Sequence, residues 1–558
     1  MHEKLESSLG RVITWGLIAT TLLVTPWWTV DPINPIKMLA AVATGFMCVG
    51  LILASRTTVT WSKYKLAFGL ITSFVIWQVV VLFASGGQII QQLFGVNGRN
   101  TGFITYLAFS FIFIGSAIAS GADFLKRLIP VVYVVGAASL AYGVIQAVGA
   151  DPISWINPFS PVFGFLGNPN FQSSLLGMLG AVVFAQLFVK GLKLQFKALI
   201  GLYLLLTMYV IKETASQQGF LVLVLGIGVV VGLYVIQKSK KLGIAYGLLS
   251  VLGFFVVLFG TLNKGPLALL YKQSVTFRGD YWSAGWKMTV DFPIFGVGLD
   301  GYGDWYRRGR TLAATVRRGP DVTSNAAHNV FLDISSNGGF PLVAIYLTLM
   351  VMVIISAIKV LRRSSGFNPA FAGMVAGWVA FQAQSIISIN QIGLAIWGWV
   401  FSGLIIGYEI NTRNVVVAPT VAKKGRSVSK PTQASAASAA SVVAVFVAFP
   451  LGVLVALPPY LAEAKYKSAM ASGNATMVQD AAYLWPLDPI RMLKVAALLY
   501  DSKLTAQSLS VVADSTKEFP DFYGTWAAVY QLPEVSAAQR AEALVQMKRL
   551  DPLNPNLK

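Results

Sequence analysis

Long apolar segments are the feature that most constrains how this chain folds. Thirteen stretches are long enough, or nearly so, to cross a bilayer as a helix. They are approximately residues 12–30, 36–55, 66–84, 102–120, 128–149, 171–189, 198–211, 219–236, 242–262, 339–358, 369–388, 391–408 and 441–457. Only 12% of the residues are charged, roughly half the share of a soluble domain. The sequence therefore predicts an all-α, polytopic membrane protein with about 12–13 transmembrane helices, and it excludes a soluble enzyme and a disordered chain.

The positions of the basic residues predict the orientation. A net charge of +20 also fits a nucleic-acid-binding protein. With the N-terminus in the cytoplasm, however, the interior segments carry 21 Lys and Arg, and the short exterior connections carry 3, namely Lys37, Arg99 and Lys212. This asymmetry is the positive-inside bias of membrane proteins. We expect a cytoplasmic N-terminus, an exterior C-terminus, contact with membrane lipids and no nucleic-acid partner.

Composition divides the chain into four parts. They are a membrane domain at 1–408 with an exterior loop at 263–338, a Ser-, Ala- and Lys-rich cytoplasmic linker at 409–440, a further transmembrane helix at 441–457, and an exterior tail at 458–558. Prolines in the tail recur after 34 and 32 residues, at Pro486, Pro520 and Pro552. This period is typical of tetratricopeptide repeats, which bind proteins. Two repeats fall below the usual minimum of three, so a plain helical hairpin is the alternative.

The segment 263–338 contains the residues best suited to chemistry. Loops this long are usually functional or disordered, and its aromatic residues and glycines argue against disorder. His328 is the only histidine besides His2, and its ordinary pKa of about 6.5 suits a general base. The alternative is a surface histidine packed on aromatic rings. No second histidine or cysteine lies nearby and no Asp-x-Asp motif occurs, so we expect neither a metal site nor a cofactor.

Arginines lie at the predicted exterior surface. Arg278 follows the ninth apolar stretch and Arg99 precedes the fourth. A guanidinium binds a diphosphate through two parallel hydrogen bonds and stays charged at any working pH. The alternative is an interfacial arginine that reaches lipid headgroups. A further basic run comprises Arg307, Arg308, Arg310, Arg317 and Arg318. We expect this run to face solvent or lipid phosphate, with attraction of an anionic donor as the alternative.

Two glycine-rich segments are interpreted as turns. Residues 296–301 match G-x-G-x-x-G, but they lie in a loop between membrane spans rather than between a strand and a helix, which argues against a dinucleotide site. Residues 163–170 lead into the sixth apolar stretch and contain Asn168 and Asn170. Asn170 is a candidate N-cap of that helix.

Taken together, these motifs resemble the O-antigen ligase and polymerase superfamily of bacterial membrane glycosyltransferases. The shared features are Arg99 to Gly102, Gly164 to Asn170, Arg278 to Trp282, Asp291-x-Pro293-x-x-Gly296-x-Gly298, and His328-Asn329 with Gly338. The resemblance spans most of residues 90–410. It implies a type-C glycosyltransferase-like fold in the bacterial cytoplasmic (inner) membrane, with an exterior, tetratricopeptide-like extension of the kind common in relatives. Relatives often have Ser-Arg-Gly before the eighth stretch, where this chain has Ser216-Gln217-Gln218-Gly219.

The resemblance also implies an activity. A glycan would pass from undecaprenyl diphosphate to a hydroxyl of a glycan, lipid or protein acceptor, with inversion and without a metal. His328 would take the proton of the acceptor, Arg278 and Arg99 would hold the diphosphate, and Asn329 would orient His328 or cap the next segment. The remaining substrate-binding residues that the resemblance implies are Trp282, Asn168 and Asn170.

Other functions stay open at this point. The chain also fits a transporter or flippase for polysaccharides or lipid-linked glycans, or a non-catalytic assembly scaffold with the tail as its docking module. Coupled carriers usually place ionisable residues within their spans, and the spans above contain essentially none, which favours an enzyme. The sequence does not distinguish a ligase from a polymerase or from a protein O-oligosaccharyltransferase.

Overall fold

A computed structural model describes residues 2–55, 61–155, 162–413 and 439–557. Across these ranges the chain forms helices and turns and contains no β-strand. The first ten helices are α1 (His2–Leu22), α2 (Asn34–Ala54), α3 (Trp61–Ala84), α4 (Ile89–Phe94), α5 (Phe103–Ala119), α6 (Ala122–Ala147), α7 (Pro169–Ala185), α8 (Leu194–Glu213), α9 (Gln217–Lys238) and α10 (Lys240–Thr261). The next seven are α11 (Gln273–Asp291), α12 (Tyr302–Gly309), α13 (Leu312–Arg318), α14 (Val330–Arg363), α15 (Pro369–Ile387), α16 (Ile392–Asn411) and α17 (Ala439–Ser472). The last five are α18 (Ala475–Ala481), α19 (Pro489–Asp501), α20 (Thr505–Glu518), α21 (Tyr523–Gln531) and α22 (Ala537–Leu550).

Each predicted apolar stretch overlaps a helix, although the first, 12–30, extends beyond the end of α1 at Leu22. Among the described residues, 11 helices are long and apolar enough to cross a membrane, and α5 is a shorter apolar helix. The prediction of an all-α, polytopic membrane protein is therefore confirmed. Most of the predicted linker 409–440 lies outside the described residues, because the structure is not described between 413 and 439.

Helix α16 forms the centre of the bundle. Its apolar window is 94% buried, and it packs against α5, α14 and α15. Glycine makes the contact with α5 possible, since a Cβ on Gly407 would lie 2.1 Å from the carbonyl oxygen of Ala117. Small residues allow close packing where lipid offers no hydrophobic driving force between helices. By contrast, α10 is only 6% buried and lies at the edge of the bundle.

Lys37 has a structural role inside the bundle. The sequence placed it in an exterior connection, but this placement is wrong, because Lys37 lies within α2 and is fully buried. Its Nζ donates hydrogen bonds to the carbonyl oxygens of Thr20 (3.1 Å), Thr21 (2.6 Å) and Leu23 (3.1 Å). These carbonyls lie at the C-terminal end of α1, where helical partners are missing and a cation is favourable. Lys37 therefore joins α1 to α2.

A break in α14 fixes the segment that follows α11. The helix is interrupted at Gly339, where φ is +72°. The N–H of Phe340 is thereby free to donate to the carbonyl of Pro293 (2.8 Å), and the N–H of Val297 donates to the carbonyl of Ser336 (2.8 Å). These bonds satisfy backbone groups that a helix break leaves without partners. As a result, α11 and the first turns of α14 are held side by side.

Residues 296–301 form the turn that the sequence predicts. Gly296 and Gly298 have φ values of +64° and +98°. A Cβ on Gly296 would lie 2.4 Å from the carbonyl oxygen of Ser336. The turn and the close backbone approach therefore account for these glycines, since only glycine takes such conformations at little cost.

The tail is helical and follows α17. Consecutive helices pack against each other, α19 on α20 and α21 on α22. Val495, Ala496 and Val511 lie in the buried apolar core of this part. The assignment to tetratricopeptide repeats stays a prediction.

The break in α14 gives a stability prediction. Gly339→Ala places a Cβ 2.1 Å from the carbonyl oxygen of Ile294 at a positive φ. We expect it to lower the free energy of unfolding by about 2 kcal/mol or more, measured as a lower thermal midpoint of the detergent-solubilised protein. Gly69→Ala is the matched control, because a Cβ there meets nothing within 4 Å. Equal midpoints for the two variants would contradict the role given to Gly339.

Candidate functional site

His328 lies in a loop whose backbone is held by side chains from several elements. The bonds are Ser324 Oγ to the carbonyl of Ala326 (2.7 Å), Arg99 Nη1 to the carbonyl of Asn325 (2.5 Å), the N–H of Ala327 to Asp333 Oδ1 (2.7 Å), and Trp282 Nε1 to the carbonyl of His328 (3.4 Å). His328 itself has φ of +53°, a region that costs a residue with a Cβ energy. The anchored loop, residues 324–329, therefore holds His328 in one strained conformation.

The imidazole of His328 has one nitrogen without a hydrogen-bond partner among the described residues. Nδ1 lies 3.2 Å from the carbonyl oxygen of Ala326, and because a carbonyl only accepts hydrogen bonds, Nδ1 carries the proton and Nε2 has the lone pair. The ring stacks on Tyr281 with 4.8 Å between the ring centroids. Burial lowers the pKa of His328 to about 4, and the nearby charges of Arg278, Arg99 and Arg318 act in the same direction. The imidazole is therefore neutral at pH 7 and can accept a proton through Nε2.

Asn329 and Trp282 support this arrangement from both sides. The Asn329 side chain accepts hydrogen bonds from the N–H groups of Phe331 (3.0 Å) and Leu332 (3.1 Å). It is the N-cap of α14, so of the two roles expected for Asn329, the structure shows the cap. Trp282 lies on α11 and bonds the backbone, not the ring, of His328.

Arg278 joins α11 to the end of α15. Its Nε donates to the carbonyl of Ile387 (3.0 Å), one of the last carbonyls of that helix, which lack helical partners. Within the described residues, its terminal nitrogens have one long contact, from Nη1 to Ser274 Oγ at 3.5 Å. The side chain is half-buried. Arg278 is thus fixed at one edge while its other edge is available to an anion.

Arg318 joins the same cluster, although the sequence placed it toward solvent or lipid phosphate. Its guanidinium lies 4.4 Å from the ring centroid of Phe277 and 5.0 Å from that of Tyr281, and it contacts the Tyr281 hydroxyl. The neighbouring Arg317 forms an ion pair with Asp280 (2.5 Å). Phe277 and Tyr281 are one helical turn apart, so their rings lie on the same face of α11. This spacing was the sequence signal from which stacking of an arginine on the two rings could have been predicted.

The expectation for the basic run is also wrong for Arg307 and Arg310. Both pair with Asp551 of the tail, at 2.8 and 2.7 Å. The Arg310 side chain is only 1% exposed. A distant carboxylate thus pairs with both guanidinium groups, and nothing in the local sequence points to it.

Arg99 is engaged by protein groups. It is 6% exposed, and its Nη2 lies 3.7 Å from Asp300 Oδ1. Besides its bond to the carbonyl of Asn325, it faces the charge of Asp333. Arg99 and the two carboxylates line one small cavity with Tyr106 and others. In this conformation Arg99 holds the anchored loop.

Asn168 and Asn170 lie at the start of α7. Asn168 is the N-cap, since its side chain accepts from the N–H of Asn170 (2.9 Å), so the expectation that Asn170 caps the helix is wrong. Asn170 Oδ1 accepts from Ser216 Oγ (2.8 Å). Gln218 then approaches Gln384 of α15 at 3.5 Å. A polar path thus connects Asn170 to the helix whose end binds Arg278.

Among the described residues, no group of three or more His, Cys, Asp or Glu is arranged to hold a metal ion.

Comparison with known proteins identifies the region around His328. No curated protein matches the chain. Residues 200–347 match the family model described as O-Antigen ligase, and this region contains Arg278, Trp282 and His328. The resemblance to the O-antigen ligase superfamily that the sequence predicts is therefore confirmed over residues 200–347.

Proposed function

We propose that this protein is a membrane glycosyltransferase that moves a glycan from a polyprenyl diphosphate, undecaprenyl diphosphate in bacteria, to an acceptor hydroxyl at the exterior face of the cytoplasmic membrane. The family match supports glycan transfer in the assembly of cell-surface polysaccharides. The observation that carries the finer proposal is the neutral imidazole of His328 beside Arg278 and Arg318. This cluster combines a proton acceptor with Arg278, which can bind a diphosphate, and with Arg318, which adds positive charge nearby.

The reaction follows from these groups. The acceptor oxygen attacks the anomeric carbon of the donor sugar, and the bond from that carbon to the diphosphate oxygen breaks. The electron pair leaves with the diphosphate, and the acceptor proton goes to His328 Nε2. Arg278 stabilises the charge that grows on the leaving group. Attack from the face opposite the diphosphate inverts the anomeric centre.

Donor binding also activates the base. Burial is the first cause of the low pKa of His328, and the three arginines lower the pKa further. A bound diphosphate neutralises part of their charge, so the pKa of His328 rises when the donor is present. The imidazole then becomes a better base only in the complex that reacts.

The other predicted residues support the site at a distance. Arg99 bonds the anchored loop and is compensated by Asp300, so we assign to it the positioning of His328 in this conformation. Diphosphate binding by Arg99 stays a prediction that requires its guanidinium to leave Asp300. Asn168 and Asn170 cap and connect α7, and we assign them to the boundary of the acceptor or donor pocket.

The basic residues support the orientation proposed here, with the N-terminus in the cytoplasm and the site and tail on the exterior side. A transporter is less well supported, because the buried Lys37 is used to cap α1 and is not free to carry an ion. Product analysis separates the remaining possibilities: a ladder of products indicates a polymerase, a single addition to a lipid indicates a ligase, and glycan on a polypeptide indicates a protein O-oligosaccharyltransferase.

His328→Ala tests the base. We expect turnover with a purified undecaprenyl-diphosphate oligosaccharide to fall by about 10²–10⁴-fold, while the thermal midpoint and donor binding stay near those of the wild type. His2→Ala is the matched control and should keep full activity, because it removes the only other histidine. Retained transfer in the His328 variant would refute the proposed mechanism.

The pH dependence tests the activation by the donor. The acid limb of kcat/KM, which reports the free enzyme, should lie near the pKa of about 4. The acid limb of kcat, which reports the donor complex, should lie at a higher pH. The sign follows from the base, which works only when unprotonated, so activity is lost as the pH falls through each value. Coincident limbs would rule out the activation.

Arg278 variants test the diphosphate contact. Arg278→Gln should lower kcat/KM by about 10²-fold, and Arg278→Lys should recover only part of it, since an ammonium lacks the forked geometry. The control is Arg362→Gln, an exposed arginine at the other end of α14. The contact is disproved if kinetics are the same in all three variants.

A further inference from the structure

We propose that the tail sets the position of the catalytic cluster through Asp551, which makes this residue a positioning residue for glycan transfer. The inference rests on the proposed function. It concerns a carboxylate more than 220 positions beyond His328 in the sequence, in a part of the chain outside the family match.

Asp551 is the centre of a buried group of charges between the tail and the membrane domain. It follows α22 directly and its side chain is 0% exposed. Arg310 Nη2 donates to both of its oxygens (2.8 and 2.7 Å), and Arg307 Nη1 donates to Oδ2 (2.8 Å). Asn554 Nδ2 donates the fourth hydrogen bond to this carboxylate, also to Oδ2 (3.1 Å). One carboxylate therefore holds two guanidinium groups of the loop segment.

The same two arginines also bond the turn that follows α13. Arg307 Nη1 and Arg310 Nη2 each donate to the carbonyl of Pro320 at 2.8 Å, and Arg310 Nη1 donates to the carbonyl of Val322 at 3.2 Å. Removing the carboxylate leaves two cations in a site where one is 1% and the other 13% exposed. Breaking a buried ion pair by removing one partner is strongly destabilising, because the remaining charge must then find water. The segment from α12 to the turn at 320 would have to move to expose these charges.

This segment contacts the catalytic cluster at its other end. Arg310 lies between α12 and α13, and α13 ends with Arg317 and Arg318. Arg318 lies over Tyr281, and the Tyr281 ring stacks on His328. A shift of α13 therefore reaches the imidazole through a single aromatic ring.

A second set of contacts keeps the tail attached when Asp551 is changed. Asn97 Nδ2 donates to Glu463 Oε1 (2.9 Å) and Asp488 Oδ2 (2.7 Å). Gln88 Nε2 donates to the carbonyl of Glu518 (2.8 Å). These bonds join the α4 region to the tail without touching α12 or α13. Loss of the Asp551 carboxylate thus tests the position of α13 rather than the attachment of the tail.

The experiment uses the full-length protein in detergent with Asp551→Asn, which removes the charge and keeps the shape. We expect kcat to fall by about tenfold or more, since small displacements of reacting groups are costly, with KM for the donor within about twofold of the wild type because Arg278 is untouched. Hydrogen–deuterium exchange should become faster at 312–318 and 324–332 and stay unchanged in α14 beyond Gly339. Asp501→Asn, an exposed aspartate of the same tail, should match the wild type in both measurements.

The outcomes separate the two proposals. Wild-type kinetics and exchange in Asp551→Asn would overturn the inference and leave the proposed function intact, whereas an inactive wild-type protein would overturn the proposed function. If Asp551→Asn does not fold, Arg310→Lys tests the same contact, because it keeps the positive charge and loses the paired hydrogen bonds to the Asp551 carboxylate. We expect a smaller fall in kcat, about threefold, with faster exchange at 312–318. Wild-type behaviour of Arg310→Lys would likewise overturn the inference.

Discussion

Hydrogen bonds from side chains to the backbone of the anchored loop hold the candidate site together. Four different elements supply them: the segment before α5 through Arg99, α11 through Trp282, α14 through Asp333, and the loop itself through Ser324. A histidine at positive φ persists only where the surroundings enforce it. The orientation of the imidazole, with its proton on Nδ1 and its lone pair on Nε2, follows from this same backbone, because the carbonyl of Ala326 is its partner.

The energetic cost of burying a charge in a low-dielectric environment explains how the arginines around the site are paired. An unpaired guanidinium is costly away from water, and several arginines have dedicated carboxylate acceptors: Arg99 has Asp300, Arg317 has Asp280, and Arg310 has Asp551. Arg278 has no such carboxylate among the described residues and bonds a helix-terminal carbonyl and a distant hydroxyl, whereas Arg318 stacks on Phe277 and Tyr281. A cation that the protein does not neutralise is the natural place for an anionic ligand. Charge pairing therefore distinguishes Arg278, which we propose binds the ligand, from the arginines whose carboxylate partners stabilise the fold.

Much of the membrane fold was predictable, because a bilayer leaves the backbone few options. Every backbone group in hydrocarbon needs an internal partner, so an apolar stretch of about 20 residues becomes a helix. His328 and Arg278 were also chosen as candidates from residue type and position in the long polar loop, and Asn329 from the family resemblance. The assignment failed where partners come from distant segments. Arg307 and Arg310 were predicted to be surface charges, because the sequence does not show that Asp551 lies beside them. Lys37 was assigned to a connection between helices, although it caps α1. Asn170 read as the cap because either asparagine fits the local pattern.

The sequence by itself thus determined the helical class and the positions of most apolar segments, and it supplied the candidate site residues, since these depend on composition and on spacing along one segment. The tertiary structure decided which arginines pair with carboxylates, which nitrogen of His328 bonds the backbone, and how the tail meets the loop. These properties depend on what lies across a contact. Burial and charge pairing join residues that are far apart in the sequence, such as Arg310 and Asp551, which are separated by 241 positions, and local patterns carry no record of such neighbours.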